Sequence, residues 1–174
     1  SEREDWGHLY LYDSRPGRLK NRLTTGEGNV TQLVQVDEKN RIVYFLGVGK
    51  EKGRDPYFAH FYRVGLDGRN LTLLTPEDAT HTVTLSPDRR FFVDSLSKPD
   101  APPVTVLRDT DGKLIRTLEQ ADISGLTATG WKPPMPITVK ARDSMTDLYG
   151  LLYRPTNFDA AKKYPIINHI YPGP

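Results

Sequence analysis

The 174-residue chain carries 26% charged residues and a formal net charge of only +2. This balance gives no support for nucleic-acid binding, which requires a concentrated basic patch. Because the sequence contains no cysteine, disulfides and thiolate metal sites are excluded. No apolar run approaches the ~18 residues of a membrane-spanning helix. Hydrophobic residues make up 37% of the chain, so we expect a thin core.

Short apolar runs alternate with polar turns from the beginning of the chain, which predicts β-hairpins. Residues 9–12 alternate leucine with tyrosine, the period of a strand with two different faces. Residues 32–36 and 41–46 flank one short polar turn, and residues 82–85 and 91–93 flank another.

Two Asp-Gly pairs connect further strand-like runs. The first pair, beginning at Asp67, follows residues 58–66, and the second, beginning at Asp111, follows residues 104–108. Each pair is followed by another apolar run. We therefore expect tight two-residue turns in which both central residues take positive φ.

The strand-and-turn units end at Asp13, Asp67 and Asp111, about 45 to 55 residues apart. Units of ~40–50 residues with about four strands are typical of β-propeller blades, although a β-sandwich gives a similar succession of short strands. The sequence therefore predicts a mainly β fold, with about two propeller blades within residues 1–131.

The composition changes at the proline-rich segment 132–136, which we interpret as an interdomain connector. Residues 137–142 and 148–153 then form another predicted hairpin. Residues 164–171 are apolar in the manner of a strand covered on both faces. We expect a second domain over residues 137–174. Single helical turns are expected at residues 119–123 and 157–163.

Three stretches carry a resemblance to a known family. The first stretch, residues 1–13 (SEREDWGHLYLYD), resembles a propeller-blade motif. The second, residues 148–155 (LYGLLYRP), resembles the opening strands of a hydrolase domain, and the third, residues 171–174 (YPGP), resembles a Tyr-x-Gly-Pro turn. All three are features of the dipeptidyl peptidase IV group of the prolyl oligopeptidase superfamily. The resemblance implies a partial β-propeller followed by the first strands of an α/β-hydrolase domain. At Ser144 many relatives have glycine, and we expect only local backbone consequences.

The resemblance implies a serine peptidase that releases N-terminal dipeptides, Xaa-Pro or Xaa-Ala, through a Ser-Asp-His triad. In such enzymes the nucleophile lies in a Gly-x-Ser-x-Gly turn, a sequence that this chain does not contain. We therefore expect the chain to be inactive on its own. Tyr171 matches the family tyrosine whose hydroxyl helps to hold the oxyanion, a task suited to one directed donor.

The resemblance also implies peptide substrates, no cofactor and a periplasmic or extracellular parent protein, and it allows a homodimer. The four histidines form no His-x-His or His-x-x-x-His pair, so no metal site is expected. His8 and His60 precede comparable aromatic strands, for which we expect a blade-packing or surface role.

Alternative functions remain open at this point. The parent protein could be an oligopeptidase or an acylaminoacyl peptidase of the same superfamily, or a relative without its serine. A non-catalytic propeller that binds partners belongs to a different class, because a fold does not dictate its chemistry. The proline-rich connector followed by a buried type of strand favours the enzyme.

Overall fold

The computed structural model describes residue 1 and residues 3–170, most of which belong to antiparallel strands or their turns. The strands are β1 (Tyr10–Tyr12), β2 (Leu19–Arg22), β3 (Asn29–Asp37), β4 (Ile42–Val48), β5 (His60–Gly65), β6 (Thr72–Leu73), β7 (Thr80–Leu85), β8 (Phe91–Lys98), β9 (Ala101–Asp109), β10 (Leu114–Gln120), β11 (Met135–Lys140) and β12 (Asp147–Leu152). One helical turn, α1, spans Ser124–Thr127. Within the described ranges, no helix is long and apolar enough to cross a bilayer.

Two four-stranded sheets form the centre of the structure. In each sheet, strands that are consecutive in sequence are neighbours: β3 to β6 form blade 1 and β7 to β10 form blade 2. β1 pairs with β2 ahead of blade 1, and β11 pairs with β12 in a separate C-terminal hairpin. Meandering four-stranded sheets are the architecture of propeller blades. The prediction of a mainly β fold with about two blades is confirmed.

One face of blade 1 packs on the sheet formed by β1 and β2. Phe45 and Tyr62 lie opposite each other on β4 and β5 and stack with ring centroids 5.3 Å apart. Leu9 and Leu11 pack against the cluster that contains this pair. A stacked aromatic pair contributes about 0.5–1.5 kcal/mol beyond the area that it buries.

The opposite face of blade 1 packs on blade 2. Tyr44 and Phe61 stack on this face, and Phe92 of β8 meets Phe61 edge to face, with ring centroids 5.1 Å apart. Phe61 and Phe92 are 0% and 1% exposed. Because successive residues of a strand point to opposite faces, the apolar run at residues 41–46 supplies side chains to both interfaces.

The same polar contact occurs in two successive sheets. The Leu9 N–H donates to Thr24 Oγ1 at 3.0 Å, and the Phe61 N–H donates to Thr75 Oγ1 at 2.9 Å. Both threonines are buried, and each follows the last strand of its sheet. The β1–β2 sheet therefore corresponds to the last two strands of a blade, β5 and β6 of blade 1.

The two Asp-Gly turns differ from the predicted type. Gly68 and Gly112 have φ of 80° and 87°, but the aspartates before them do not have positive φ. The Gly68 N–H donates to Gly65 O at 2.8 Å, which makes the glycine the last residue of its turn rather than a central one. A Cβ on Gly68 would lie 2.5 Å from Arg22 O. Each glycine allows the turn to approach the backbone of the preceding sheet.

The C-terminal third departs from the predicted elements. Residues 119 and 120 continue β10, so the helical turn predicted at 119–123 begins only at Ser124. Residues 157–163 form hydrogen-bonded turns without a helix. Residues 164–170 form no strand, and Ile166 and Ile167 are each 90% exposed. A strand covered on both faces requires neighbouring strands, and no strand in the described part of the chain pairs with this segment.

Replacing Gly112 by alanine is expected to lower the free energy of unfolding by about 2–4 kcal/mol. The left-handed backbone is unfavourable for an L side chain, and the new Cβ would lie 2.8 Å from Leu74 O. Gly53 is a matched control, since its φ is 77° but nothing lies within 4 Å of its Cβ position. Gly53→Ala should therefore cost only about 1–2 kcal/mol. Equal losses in urea denaturation would show that the close approach to Leu74 costs nothing.

Candidate functional site

A buried polar network lies where the linker between the blades meets blade 2. The carboxylate of Asp94 on β8 accepts hydrogen bonds from His81 Nδ1 at 2.9 Å and from Arg108 Nε at 3.1 Å. Arg108 Nη2 also donates to Glu77 Oε1 at 2.6 Å. His81, Asp94 and Arg108 are each at most 2% exposed. These four side chains are called the Arg108 network below.

The register of blade 2 brings the Arg108 network together. Asp94 pairs directly with Val106 on β9, and Arg108 lies two residues further along the same strand. Residues two apart on a strand share a face, so Arg108 is a diagonal neighbour of Asp94. His81 on β7 is the equivalent diagonal neighbour on the other side. Because the members come from three strands and a linker, no local sequence motif indicated the network.

Three members of the network are close enough to hold a metal ion. One ligand atom from each of Glu77, His81 and Asp94 lies within 4.8 Å of the others. Arg108, however, donates a charge-assisted hydrogen bond to each carboxylate, and its guanidinium already supplies the balancing positive charge. Both ring nitrogens of His81 also face oxygens, since Nε2 lies 3.1 Å from Glu77 O. We therefore assign the network the role of joining blade 2 to its linker.

A second polar contact joins the turns of the two blades. The Asp37 carboxylate, in the β3–β4 turn, accepts hydrogen bonds from Asn40 and lies 2.8 Å from the Arg89 guanidinium of the β7–β8 turn. The Asn40 hydrogen bonds and, to a smaller extent, the Arg89 charge lower the pKa of Asp37. This turn aspartate therefore contributes to the junction between the blades.

His8 and His60 lie at equivalent positions, at the start of successive aromatic strands. Both are buried, which agrees with a blade-packing role. His60 Nδ1 donates to Thr75 O at 3.1 Å, and the His60 ring lies 5.2 Å from the ring of His81. Burial lowers the pKa of His8 and of His60, because the charged imidazolium loses hydration.

Tyr171, to which the family resemblance assigns the oxyanion role, lies outside the described residues. Another stretch that carries the resemblance, residues 148–155, begins in β12, where Tyr149 and Gly150 pair with Thr138 and Ile137 of β11. The role of Tyr171 stays a prediction.

Comparison with known proteins identifies the family. Residues 1–103 match the family described as dipeptidyl peptidase IV (DPP IV) N-terminal region. The dipeptidyl peptidase 4 of Arthroderma otae is 28% identical over 181 residues, and that of Trichophyton tonsurans is 27% identical over 178 residues. Each match covers 100% of this chain and 22% of the relative. The crystal structure of Porphyromonas gingivalis dipeptidyl peptidase 4 superposes with a TM-score of 0.74 at 26% identity, over 95% of this chain and 23% of that protein.

Four-stranded meanders that stack on each other are typical of β-propellers, so the two blades belong to a β-propeller. The chain belongs to the dipeptidyl peptidase IV family, since the family match covers more than half of its length. It spans about a fifth of the length of the curated relatives that it matches.

Replacing Arg108 by methionine is expected to lower the free energy of unfolding by about 3–5 kcal/mol. The substitution keeps much of the side-chain volume but leaves the buried Asp94 carboxylate without its guanidinium partner. Lys98→Met is the matched control, because Lys98 forms an exposed ion pair with Asp78 at 3.3 Å, which is worth about 0–1 kcal/mol. Chemical denaturation measures both losses. An Arg108→Met loss as small as that of the control would contradict the structural role of the network.

The stability of the chain is expected to fall as the pH is lowered from about 7.5 to 5.5. Burial lowers the pKa of His60 in the folded state, so the unfolded chain binds protons that the folded chain does not. His60→Asn, whose amide can still donate to Thr75 O but does not titrate, should make the dependence of the unfolding free energy on pH less steep. Parallel pH dependences of the unfolding free energy in the variant and in the unsubstituted chain would show that His60 does not contribute to this dependence.

Proposed function

We propose that the chain is a segment of a serine-type dipeptidyl peptidase that releases N-terminal Xaa-Pro or Xaa-Ala dipeptides, and that it is inactive on its own. The observation that carries the proposal is the family match over residues 1–103, together with relatives that are named dipeptidyl peptidase 4. Peptides are the proposed substrates, and the periplasm or the extracellular space is the proposed location.

We divide the chain into propeller (residues 1–131), connector (residues 132–136) and the beginning of an α/β-hydrolase domain (residues 137–174). Support comes from the C-terminal hairpin, whose strands pair with each other and with no strand of either blade in the part of the chain described. Exposed isoleucines at positions 166, 167 and 170 also support the division. In a hydrolase sheet such side chains are covered by helices and neighbouring strands.

Tyr171 is the proposed catalytic residue of this chain. Its phenolic O–H would donate one hydrogen bond to the oxygen that becomes negatively charged when a nucleophile attacks the scissile carbonyl. Such a donor stabilises the transition state more than the ground state, so its loss lowers kcat. The proposal is supported by the match of residues 171–174 to the family turn.

Hydrolysis of a chromogenic glycyl-proline substrate tests these assignments. The purified 174-residue chain, with its intact mass confirmed, should show no turnover. The longer protein that contains it should turn the substrate over, and Tyr171→Phe should lower its kcat by about 10²–10³-fold with a much smaller change in KM. Turnover by the 174-residue chain itself would mean that a nucleophile lies within it. An unchanged kcat in the variant would remove the oxyanion role from Tyr171.

A further inference from the structure

The loop between β4 and β5, residues 49–59, is fixed to the linker that precedes blade 1. We call it the platform loop. Lys50 Nζ donates to Thr25 O at 3.3 Å and to Glu27 O at 3.2 Å. The lysine stem lies directly on Gly28, where a Cβ would come within 2.7 Å of Lys50 Cγ. The first end of the platform loop is therefore held by both packing and hydrogen bonds.

The middle of the platform loop is fixed to the linker that precedes blade 2. Arg54 Nη2 donates to Pro76 O at 2.8 Å, and Arg54 Nη1 donates to Glu77 O at 3.4 Å. Glu77 also belongs to the Arg108 network, so this anchor is tied to the buried centre of blade 2.

A third anchor ties the platform loop to its own blade. The Tyr62 hydroxyl donates to Glu51 Oε1 at 2.9 Å. Burial, together with the Glu51 carboxylate, raises the pKa of Tyr62, which keeps the phenol protonated as a donor. With these three anchors the platform loop has little freedom to move.

One large side chain of the platform loop nevertheless points away from the blade. Tyr57 is 75% exposed, although its backbone is held by a hydrogen bond from its N–H to Asp55 Oδ1 at 2.9 Å. Its ring meets Tyr149 of β12 edge to face, with centroids 6.5 Å apart and an interplanar angle of 72°. Tyrosine on a rigid base is a typical interface anchor, because it offers a large contact area for few rotatable bonds.

We propose that the platform loop is the docking surface for the domain that begins with the C-terminal hairpin, and that Tyr57 is its anchor through Tyr149. The inference rests on the proposed domain division. It adds the surface on which the second domain sits. The loop is tied to the linkers on both sides of blade 1, so docking on it holds the hairpin in a defined position relative to both blades.

Amide hydrogen exchange on the 174-residue chain tests this docking. Opening of β12 must break the contact with Tyr57, so Tyr57→Ala should speed exchange of the amides of residues 147–152 by about two- to tenfold, the effect of one aromatic pair. Tyr57→Phe keeps the ring and should leave the exchange rates of these amides close to those of the unsubstituted chain. In a Tyr149→Ala background, Tyr57→Ala should have no further effect.

A peptide from β8 serves as the internal control, because it reports whether the blades remain folded. Equal effects of Tyr57→Ala in the two backgrounds, or no effect in either, would overturn the proposal. Faster exchange in β8 as well would show that Tyr57 stabilises the blade itself, which also overturns it. The measurement requires no peptidase activity, so its failure is distinguishable from failure of the proposed function.

Discussion

Blade 1 carries aromatic side chains on both faces, and both faces are covered by neighbouring sheets. A four-stranded sheet with aromatic side chains on both sides is stable only when a neighbouring sheet covers each side. Phe45 and Tyr62 meet the β1–β2 sheet, while Tyr44 and Phe61 meet blade 2. The turn glycines follow from this stacking, because a turn that touches the preceding sheet has no room for a Cβ.

Polar contacts then fix how the stacked sheets are arranged, since aromatic packing alone is not directional enough to do so. The Arg108 network joins β7, β8 and β9 to the linker that leads out of blade 1, and the Asp37–Arg89 contact joins the β3–β4 turn to the β7–β8 turn. Buried charges are tolerated there because each carboxylate meets a guanidinium or an imidazole at hydrogen-bond distance. The same linker accepts the hydrogen bonds of Arg54, so the platform loop is also tied to the junction between the blades.

Most of the strands could be predicted because each depends on a local pattern. Alternation at residues 9–12 and the apolar run at residues 41–46 lie within β-structure at or close to the predicted bounds. The predicted type of the Asp-Gly turns was wrong: only the glycine of each pair takes positive φ, because it is the last residue of its hydrogen-bonded turn and not a central one. The prediction of a strand was wrong for residues 164–170, because a strand covered on both faces depends on neighbouring strands that the local sequence does not specify.

The β-hairpins and the resemblance to the dipeptidyl peptidase IV group could be read from the sequence alone, since both depend on neighbouring residues and on their order along the chain. The burial of particular faces, the Arg108 network and the contact of Tyr57 with Tyr149 became visible only in the folded chain. These contacts join residues from different strands and loops. Their geometry depends on strand register and sheet stacking, which no local pattern of residues encodes.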